Sequence, residues 1–390
     1  MSIVWIGGGL SYWKTNERIK SIPELIDGIP ITILVPCHNE SKTIELTCTK
    51  LLKLNYSNYN VIFIDDGSTD DTVDFLRLYT NRIHNFHLLI LEKNVGKAQA
   101  LNIALDLVKS PYVLVMDADT ILTPDALSHF IRPFIYRKNI GAVTGNPIPL
   151  NRTNLLSKFQ TAEFMSIIGL INRTHHVLGK MFTVSGCATM YDVNTLKNVN
   201  GFSPSTATED IDITWKIQRV KKGVYFESKA VVYIQVPNKF KEYIKQRKRW
   251  ALGGWHMLRS HKQILITGNH IRLKLIYLDF IIAYLWCFCF TFTLAISVFS
   301  IIFMNNSSLS LGFIWHGSLA TFLCLCQMVL AIYLNRIYDN TLTESLTWVP
   351  WYSLLFFMVS AFLVVLTFPK GLFGNLKNTG IWSSPQRNAQ

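Results

Sequence analysis

Short apolar runs alternate with amphipathic stretches along the first third of the chain. Strands are predicted where the runs are β-branched, and helices over the stretches between them. The predicted strands are 31–35, 61–64, 87–91 and 112–116, and the predicted helices are 42–54, 71–79 and 97–108. This alternation is typical of an α/β fold with a doubly wound, largely parallel sheet. Such sheets bind ligands beyond the carboxyl ends of their strands.

The pattern changes near residue 270, where the chain becomes almost continuously apolar. Three segments are each longer than the roughly 20 residues that a helix needs to cross a bilayer. They are 275–304, 311–334 and 348–368. We therefore predict a polar domain over 14–270, followed by a bundle of transmembrane helices over 271–369.

Both ends of the chain are also distinctive. The apolar segment 1–13 is too short for a full span, so it is either a short or truncated membrane segment or an interfacial one. The tail, 370–390, is basic. Three spans that start from a cytoplasmic domain would end outside, so the tail is predicted to be interfacial, unless one apolar segment is re-entrant or another does not span fully.

The net charge is +13, with lysine and arginine concentrated in the polar domain and in the tail. By the positive-inside rule, the polar domain is cytoplasmic and the protein is a multi-pass protein of the cell membrane. No nucleic-acid-binding motif accompanies the charge, so no nucleic-acid partner is expected. The seven cysteines include no Cys-x-x-Cys pair, which argues against a zinc site.

Four charged clusters punctuate the polar domain. They are Asp65-Asp66-Gly67-Ser68, Asp117-Ala118-Asp119, Thr208-Glu209-Asp210 and Gln246-Arg247-Lys248-Arg249-Trp250. The first two follow predicted strands. Taken singly, each has a structural alternative, such as a turn, a helix cap or the polar face of a membrane-surface helix. No Gly-x-Gly-x-x-Gly or Walker loop is present, which excludes the common dinucleotide-binding and P-loop classes.

In this order, and with the segments 35–40 and 94–102, the clusters resemble glycosyltransferase family 2, in particular its processive polysaccharide synthases. These include the cellulose, chitin and hyaluronan synthases. The resemblance covers almost the whole chain. Segments 141–147 and 382–385 are most similar to the bacterial poly-β-1,6-N-acetylglucosamine synthases of biofilms. The resemblance implies a GT-A type domain and an inverting transfer from a UDP-sugar.

The resemblance also implies roles on the donor side of the site. Asp65 and Asp66 would bind the uridine, and Lys97 would lie near the nucleotide or its diphosphate. Asp117 and Asp119 would coordinate Mg²⁺ or Mn²⁺ on the diphosphate, and Asp119 is counted among the catalytic residues.

On the acceptor side, the resemblance implies that Asp210 is the general base, with Glu209 as a catalytic neighbour. Gln246 would contact the substrate, and Arg247 and Arg249 would face the diphosphate. Trp250 would stack on the terminal acceptor sugar. The segment 185–187 resembles a family segment close to the acceptor.

The expected partners are UDP-N-acetylglucosamine, the growing polysaccharide, the lipid bilayer and a small accessory membrane protein. Three alternatives stay open at this point. The chain makes another polymer, such as a hyaluronan- or chitin-like one; it glycosylates a lipid once; or it is a membrane transporter with a nucleotide-binding domain.

Overall fold

The computed structural model describes residues 2–18, 26–266, 270–304 and 308–374, without the side chains of 304–320 and 351–357. Within these residues one sheet has the strand order β3-β2-β1-β4-β7-β6-β8-β5. The strands are β1 (Ile31–Cys37), β2 (Tyr59–Asp66), β3 (Phe86–Leu91), β4 (Tyr112–Met116), β5 (Ile121–Leu122), β6 (Ile140–Pro149), β7 (Ala188–Asp192) and β8 (Gly223–Ile234).

Helices cover both faces of this sheet and continue beyond it. In chain order they are α1 (Ser2–Tyr12), α2 (Ile44–Leu51), α3 (Thr72–Thr80), α4 (Lys97–Leu105), α5 (Ala126–Tyr136), α6 (Leu155–Phe164), α7 (Asn172–Leu178), α8 (Val193–Asn198), α9 (Glu209–Arg219), α10 (Phe240–Ser260), α11 (Ile271–Met304), α12 (Ser308–Asn335) and α13 (Val349–Phe373). Helices α6 and α7 are joined by a π-helical segment, Met165–Ile171, and so form one continuous helix.

Burial on both faces explains the parallel part of the sheet. All of β1 is buried, and β1 pairs in parallel with β2 and β4. One core packs α2, α3 and α5 against the sheet, and a second core packs α4, α8 and α9 against the opposite side. Such strands are typical of α/β proteins with two covered faces. The predicted α/β fold is confirmed. The sheet is mixed, because β7 runs antiparallel to both of its neighbours.

The apolar part of the chain is helical, as predicted. Among the described residues one helix, Ile271–Phe303, is long and apolar enough to cross a bilayer. Only 11% of its most apolar window is buried, so it is not a core helix of the polar domain. The other apolar helical stretches found there, Thr321–Asn335 and Met358–Phe373, are shorter. The three predicted spans and the domain boundaries therefore stay predictions.

The N-terminal segment forms α1, whose eleven residues extend about 16 Å, roughly half of a hydrocarbon core. It packs closely on α7, since a β-carbon on Gly8 would overlap the side chain of Thr174. The hydroxyl of Tyr12 donates to the carbonyl of Phe226 in β8, 3.1 Å away. Residues 375–390, which hold most of the predicted interfacial tail, lie outside the described residues.

The continuous helix 155–178 connects the sheet domain with the apolar helices. Gln327 of α12 donates to Ser166 in the π-helical segment, with an N···O distance of 2.8 Å. Arg173 of α7 forms a buried ion pair with Glu17 at 2.8 Å and also donates to Asn335, the last residue of α12. Buried polar contacts such as these fix the relative placement of the elements, because an unpaired buried group is costly.

Candidate active site

Three predicted clusters meet at one edge of the sheet. Asp65 and Asp66 end β2, and Asp117 directly follows β4. β1 lies between these two strands and is parallel to both, so their carboxyl ends share an edge. Glu209 and Asp210 begin α9, and Lys97 contacts both Glu209 and Asp117.

Asp66 organises the loop before α4. It is fully buried, and its carboxylate accepts hydrogen bonds from the backbone N–H groups of Val95 and Gly96 at 2.7 and 2.9 Å. Gly96 has a φ of 89°, which favours glycine, and it directly precedes Lys97, the first residue of α4. Burial raises the pKa of Asp66, while these two hydrogen bonds oppose the rise. Asp66 therefore helps to present Lys97 to the site.

The two carboxylate oxygens of Asp65 differ in their hydrogen bonding. One of its oxygens accepts from the N–H of Ser68 at 3.2 Å. The other, Oδ1, is buried, and within the described part of the chain it has no hydrogen-bond partner. A buried carboxylate oxygen of this kind suits a ligand N–H donor. The predicted uridine-binding role stays a prediction.

Lys97 joins the second and third acidic clusters. Its ammonium group lies 2.7 Å from Asp117 and 3.1 Å from Glu209, and it donates to the carbonyl of Gly186 at 3.3 Å. Its side chain is only 14% exposed. Although burial acts to lower the pKa of Lys97, the two carboxylates raise it well above its usual value. Lys97 is therefore a permanent cation between the two clusters, a role that the sequence does not predict.

The two carboxylates at the start of α9 differ in acidity. Burial opposes ionisation of Glu209, yet Lys97 and Arg249 hold its pKa below the usual value. For Asp210, burial and the charge of Glu209 raise the pKa to about 6. Neighbouring carboxylates with separated pKa values are a common feature of catalytic sites. Both residues also lie in the first helical turn, where the helix dipole favours negative charge.

Glycine at position 186 leaves room beside Asp210. A β-carbon there would lie 3.1 Å from Oδ2 of Asp210. A small cavity of about 10 Å³, on the scale of one water molecule, adjoins this point. Its lining includes Lys97, Ser185, Tyr191, Glu209 and Asp210. The segment 185–187 therefore borders the same site as the acidic clusters.

Asp117 and Asp119 are the predicted metal ligands. The side chain of Asp117 is 29% exposed, and Asp119 is buried. In the part of the chain that the structure describes, no group of three or more His, Cys, Asp or Glu residues is arranged to hold a metal ion. Two carboxylates nevertheless fit a hard cation that completes its shell with phosphate oxygens and water, as Mg²⁺ commonly does.

Helix α10 packs directly on the third cluster. A β-carbon on Gly253 of α10 would overlap the side chain of Thr208, which precedes Glu209. Arg249, also on α10, is exposed and lowers the pKa values of both Glu209 and Asp210. The glycine thus allows the close approach that brings the guanidinium of Arg249 to the acidic edge of the site.

The remaining residues of the fourth cluster have different surroundings. Arg247 is buried and donates from Nη2 to Oε2 of Glu163 at 2.7 Å, rather than being an exposed cation like Arg249. Its guanidinium lies 4.1 Å from the ring centre of Trp250, which is partly exposed. The Oε1 atom of Gln246 is buried and has no hydrogen-bond partner among the described residues. Diphosphate contact by Arg247 stays a prediction.

A second buried pair connects α9 with the end of α10. Nε2 of His261, which follows α10, lies 2.8 Å from the carboxylate of Asp212. The same carboxylate accepts from Ser203 at 2.6 Å and pairs with Lys216 at 3.2 Å. These contacts hold the pKa of Asp212 below its usual value despite burial. No sequence motif marks this pair or Glu163, because their partners are distant in the chain.

Comparison with known proteins agrees with this geometry. Residues 32–199 match the model of the family described as Glycosyl transferase family 2. Over 397 residues the chain is 31% identical to a poly-beta-1,6-N-acetyl-D-glucosamine synthase of Staphylococcus epidermidis, covering 99% of this chain and 96% of that protein. It is 31% identical over 396 residues to the protein of that name from Staphylococcus aureus strain COL, with the same coverage.

A solved structure with a similar fold is the mannosyltransferase PcManGT from Pyrobaculum calidifontis, in complex with GDP-Man and Mn²⁺. The TM-score is 0.64, and the match covers 95% of this chain and 99% of that one. The sequence identity is 17%, so this similarity concerns the fold.

Proposed function

Because this chain belongs to glycosyl transferase family 2 and is a glycosyltransferase, we propose that it polymerises N-acetylglucosamine from UDP-N-acetylglucosamine into a β-1,6-linked polysaccharide. The proposed reaction is inverting and processive. The choice of polymer is supported by the names of relatives that match nearly the full length of the chain.

The single observation that carries the reaction type is the chain of charges Asp117–Lys97–Glu209, with Asp210 beside it. Lys97 contacts the carboxylates of Asp117 and Glu209 directly, at 2.7 and 3.1 Å. Asp210 has a pKa raised to about 6 and adjoins the space left by Gly186. A carboxylate that is poised near neutral pH, next to fixed cations, suits proton abstraction beside a departing anion.

In the proposed mechanism Asp210 accepts the proton of an acceptor hydroxyl. The hydroxyl oxygen attacks the anomeric carbon as the bond from that carbon to UDP breaks, and one displacement inverts the configuration. Glu209 keeps Lys97 in place and, through its charge, raises the basicity of Asp210. Arg249 lies close enough to influence both acids and would balance negative charge that develops on the leaving diphosphate.

The donor would be held at the sheet edge. Asp65, whose Oδ1 has no hydrogen-bond partner among the residues that the structure describes, would accept from the uracil N–H, while Asp66 maintains the neighbouring loop. Asp117 and Asp119 would hold a Mg²⁺ or Mn²⁺ ion, which supplies charge stabilisation for the departing diphosphate. Trp250, partly exposed on α10, would stack on the terminal sugar of the acceptor.

We further propose that the product leaves through the cell membrane. Helix α11 is suited to cross a bilayer, and α10, which carries Trp250, packs on α13. The sheet domain would then be cytoplasmic, where UDP-sugars are available. A handful of helices is few for a closed path, so oligomerisation or a small accessory membrane protein would complete it.

The direct test is UDP release from membranes that contain the chain, measured with a panel of UDP-sugars. We expect release with UDP-N-acetylglucosamine and a product that a β-1,6-hexosaminidase digests. Chelation with EDTA should lower the rate by about a hundredfold or more, because metals supply several kcal/mol of charge stabilisation. Added Mg²⁺ or Mn²⁺ should restore it.

Two outcomes would contradict the proposal. Release only with another donor would retain the mechanism and reject the polymer. No release with any donor, in membranes that also contain a relative's accessory subunit, would reject the enzymatic proposal. Membranes lacking the chain provide the background rate.

The pH dependence of the rate tests the state of Asp210. Its raised pKa means that the base form is lost as the pH falls through about 6, so kcat/KM should decline tenfold per pH unit below that value. An ordinary aspartate would retain activity to about pH 4. A pH–rate profile under saturating metal is the measurement, and an acidic limb near pH 4 would contradict the assigned environment.

A further inference from the structure

Two consecutive residues at the end of α6 contact two residues of the fourth cluster on α10. The carboxylate of Glu163 accepts from Nη2 of Arg247 at 2.7 Å. The ring of Phe164 lies 6.4 Å, centre to centre, from that of Trp250, at an angle of 60°. Glu163 and Arg247 are both buried, with side-chain exposures of 2% and 4%. This contact sits where α6 passes into the π-helical segment.

Arg247 connects this carboxylate with the indole. Its guanidinium lies over the rings of both Tyr243 and Trp250, at 4.8 and 4.1 Å. The three residues are spaced by four and three positions on α10 and so share one face of that helix. Cation–π contacts are strongest where the cation is desolvated, as the buried Arg247 is. The guanidinium therefore restricts the orientation of the indole.

Glu163 in turn restricts the guanidinium. Within the described residues, the second carboxylate oxygen of Glu163 and the Nε atom of Arg247 are buried without hydrogen-bond partners. The hydrogen bond through Nη2 therefore helps to fix the orientation of both groups, together with the ring contacts of Arg247. Burial raises the pKa of Glu163 to about 7, although Arg247 opposes the rise. Burying a carboxylate in an apolar interface costs free energy, and hydrophobic residues often pack equally well at such positions. Packing alone therefore does not explain Glu163.

We propose that Glu163 is a positioning residue for the acceptor sugar, acting through Arg247 to hold the Trp250 indole at the angle needed for stacking. This inference rests on the proposed function, because it assigns the acceptor to Trp250. It predicts that loss of Glu163 weakens acceptor binding and leaves donor binding intact.

A contact of the π-helical segment with α12 helps to fix the position of α6. Ser166, three residues after Glu163, accepts from Gln327 of α12 at 2.8 Å. This hydrogen bond from the apolar helix α12 therefore holds the part of the chain that directly follows Glu163. π-Helical turns are often found at functional sites, where they redirect side chains. Here the segment begins directly after Phe164, which contacts the indole, and it carries the contact with α12 itself.

The test compares Glu163→Gln with a matched control, Glu17→Gln. Glu17 also forms a buried ion pair with an arginine of the continuous helix 155–178, at 2.8 Å, and has no assigned part in substrate binding. With a β-1,6-linked N-acetylglucosamine pentasaccharide as acceptor, Glu163→Gln should raise the acceptor KM about tenfold, the scale of one cation–π contact. The donor KM should stay within about twofold of the unaltered value. Glu17→Gln should change the two constants in equal proportion.

A double-variant cycle with Trp250→Ala shows whether Glu163 acts through the indole. In that background Glu163→Gln should change the acceptor KM by less than about twofold, since neighbouring residues that act through one contact are not additive. Glu163→Asp keeps the negative charge, but its side chain is one methylene shorter and places the carboxylate farther from Arg247. It should raise the acceptor KM in the same way but by less. If Glu163→Gln does not accumulate as folded protein, the same measurements are made on Glu163→Asp.

Either of two results would overturn this inference. One is an equal loss of donor and acceptor affinity in Glu163→Gln, matching the Glu17→Gln control. The other is full additivity with Trp250→Ala. Failure of the proposed function has a different signature, namely no UDP release by the unaltered chain.

Discussion

Replacement of Asp210 by asparagine is expected to lower kcat at least about a thousandfold, the effect of removing a well-placed general base. The amide has nearly the same shape and cannot accept the proton of the acceptor hydroxyl. The thermal unfolding temperature should be unchanged or higher. Burial and the charge of Glu209 both disfavour the ionised carboxylate, so a neutral group in its place relieves a cost. The measurements are UDP release and thermal unfolding of the purified chain.

A matched control distinguishes catalysis from general damage. Asp74 lies exposed on α3 and belongs to none of the four clusters, so Asp74→Asn should leave both the rate and the unfolding temperature unchanged. If Asp210→Asn retained more than about a tenth of the unaltered kcat, another group would have to be the base. A large fall in unfolding temperature would indicate that the carboxylate is a structural partner instead.

Lys97→Met has the second large expected effect, and it acts on stability as well as rate. Removing one member of a buried ion pair costs about 3–5 kcal/mol, because the remaining charges stay buried without compensation. Here two carboxylates, those of Asp117 and Glu209, would lose their cation. Because Lys97 also lowers the pKa of Asp210, its loss should move the acidic limb of the pH–rate profile above pH 6. We expect kcat at neutral pH to fall at least about a hundredfold.

The double variant Lys97→Met/Glu209→Gln separates these two effects. Neutralising Glu209 removes one orphaned charge and the repulsion of Asp210, so part of the lost stability should return and the acidic limb should move back toward lower pH. Activity should stay low, since the site would still lack the cation. Additive losses of stability in the double variant would show that Lys97 and Glu209 do not interact in the folded protein.

The arrangement also explains why a divalent ion fits the proposed reaction. Asp117, Asp119, Glu209 and Asp210 bring more negative charge to the site than Lys97 and Arg249 offset. A diphosphate would add more, and charges of one sign at close range repel strongly in a partly buried site. A cation that arrives with the donor would restore the balance, which agrees with the expected sensitivity to EDTA.

Much of the fold and the position of the acidic clusters were predictable from the chain itself. The strands β1, β2 and β4 are predictable because strands buried on both faces are short, apolar and β-branched. The partly exposed edge strand β3 is predictable from its apolar run. The clusters at 65–68 and 117–119 are recognisable because ligand-binding residues of such sheets follow the strands directly. The apolar helices are predictable by length and composition, although the number of spans is not.

The partners of the site residues were not predictable, because they depend on contacts between distant segments. Arg247 looks like its neighbour Arg249, yet one is buried against Glu163, 84 residues away, and the other is exposed. No periodicity connects Lys97 with Glu209, or Asp212 with His261.

The sequence by itself determined which residue types are available, the α/β class and the order of the four clusters, because local patterning and motif spacing depend on neighbours in the chain. Only the tertiary structure decided that Lys97 joins two acidic clusters, that Asp210 has a raised pKa and that Glu163 pairs with Arg247. Charge–charge interactions and desolvation depend on distance in space and on burial, which chain folding alone establishes.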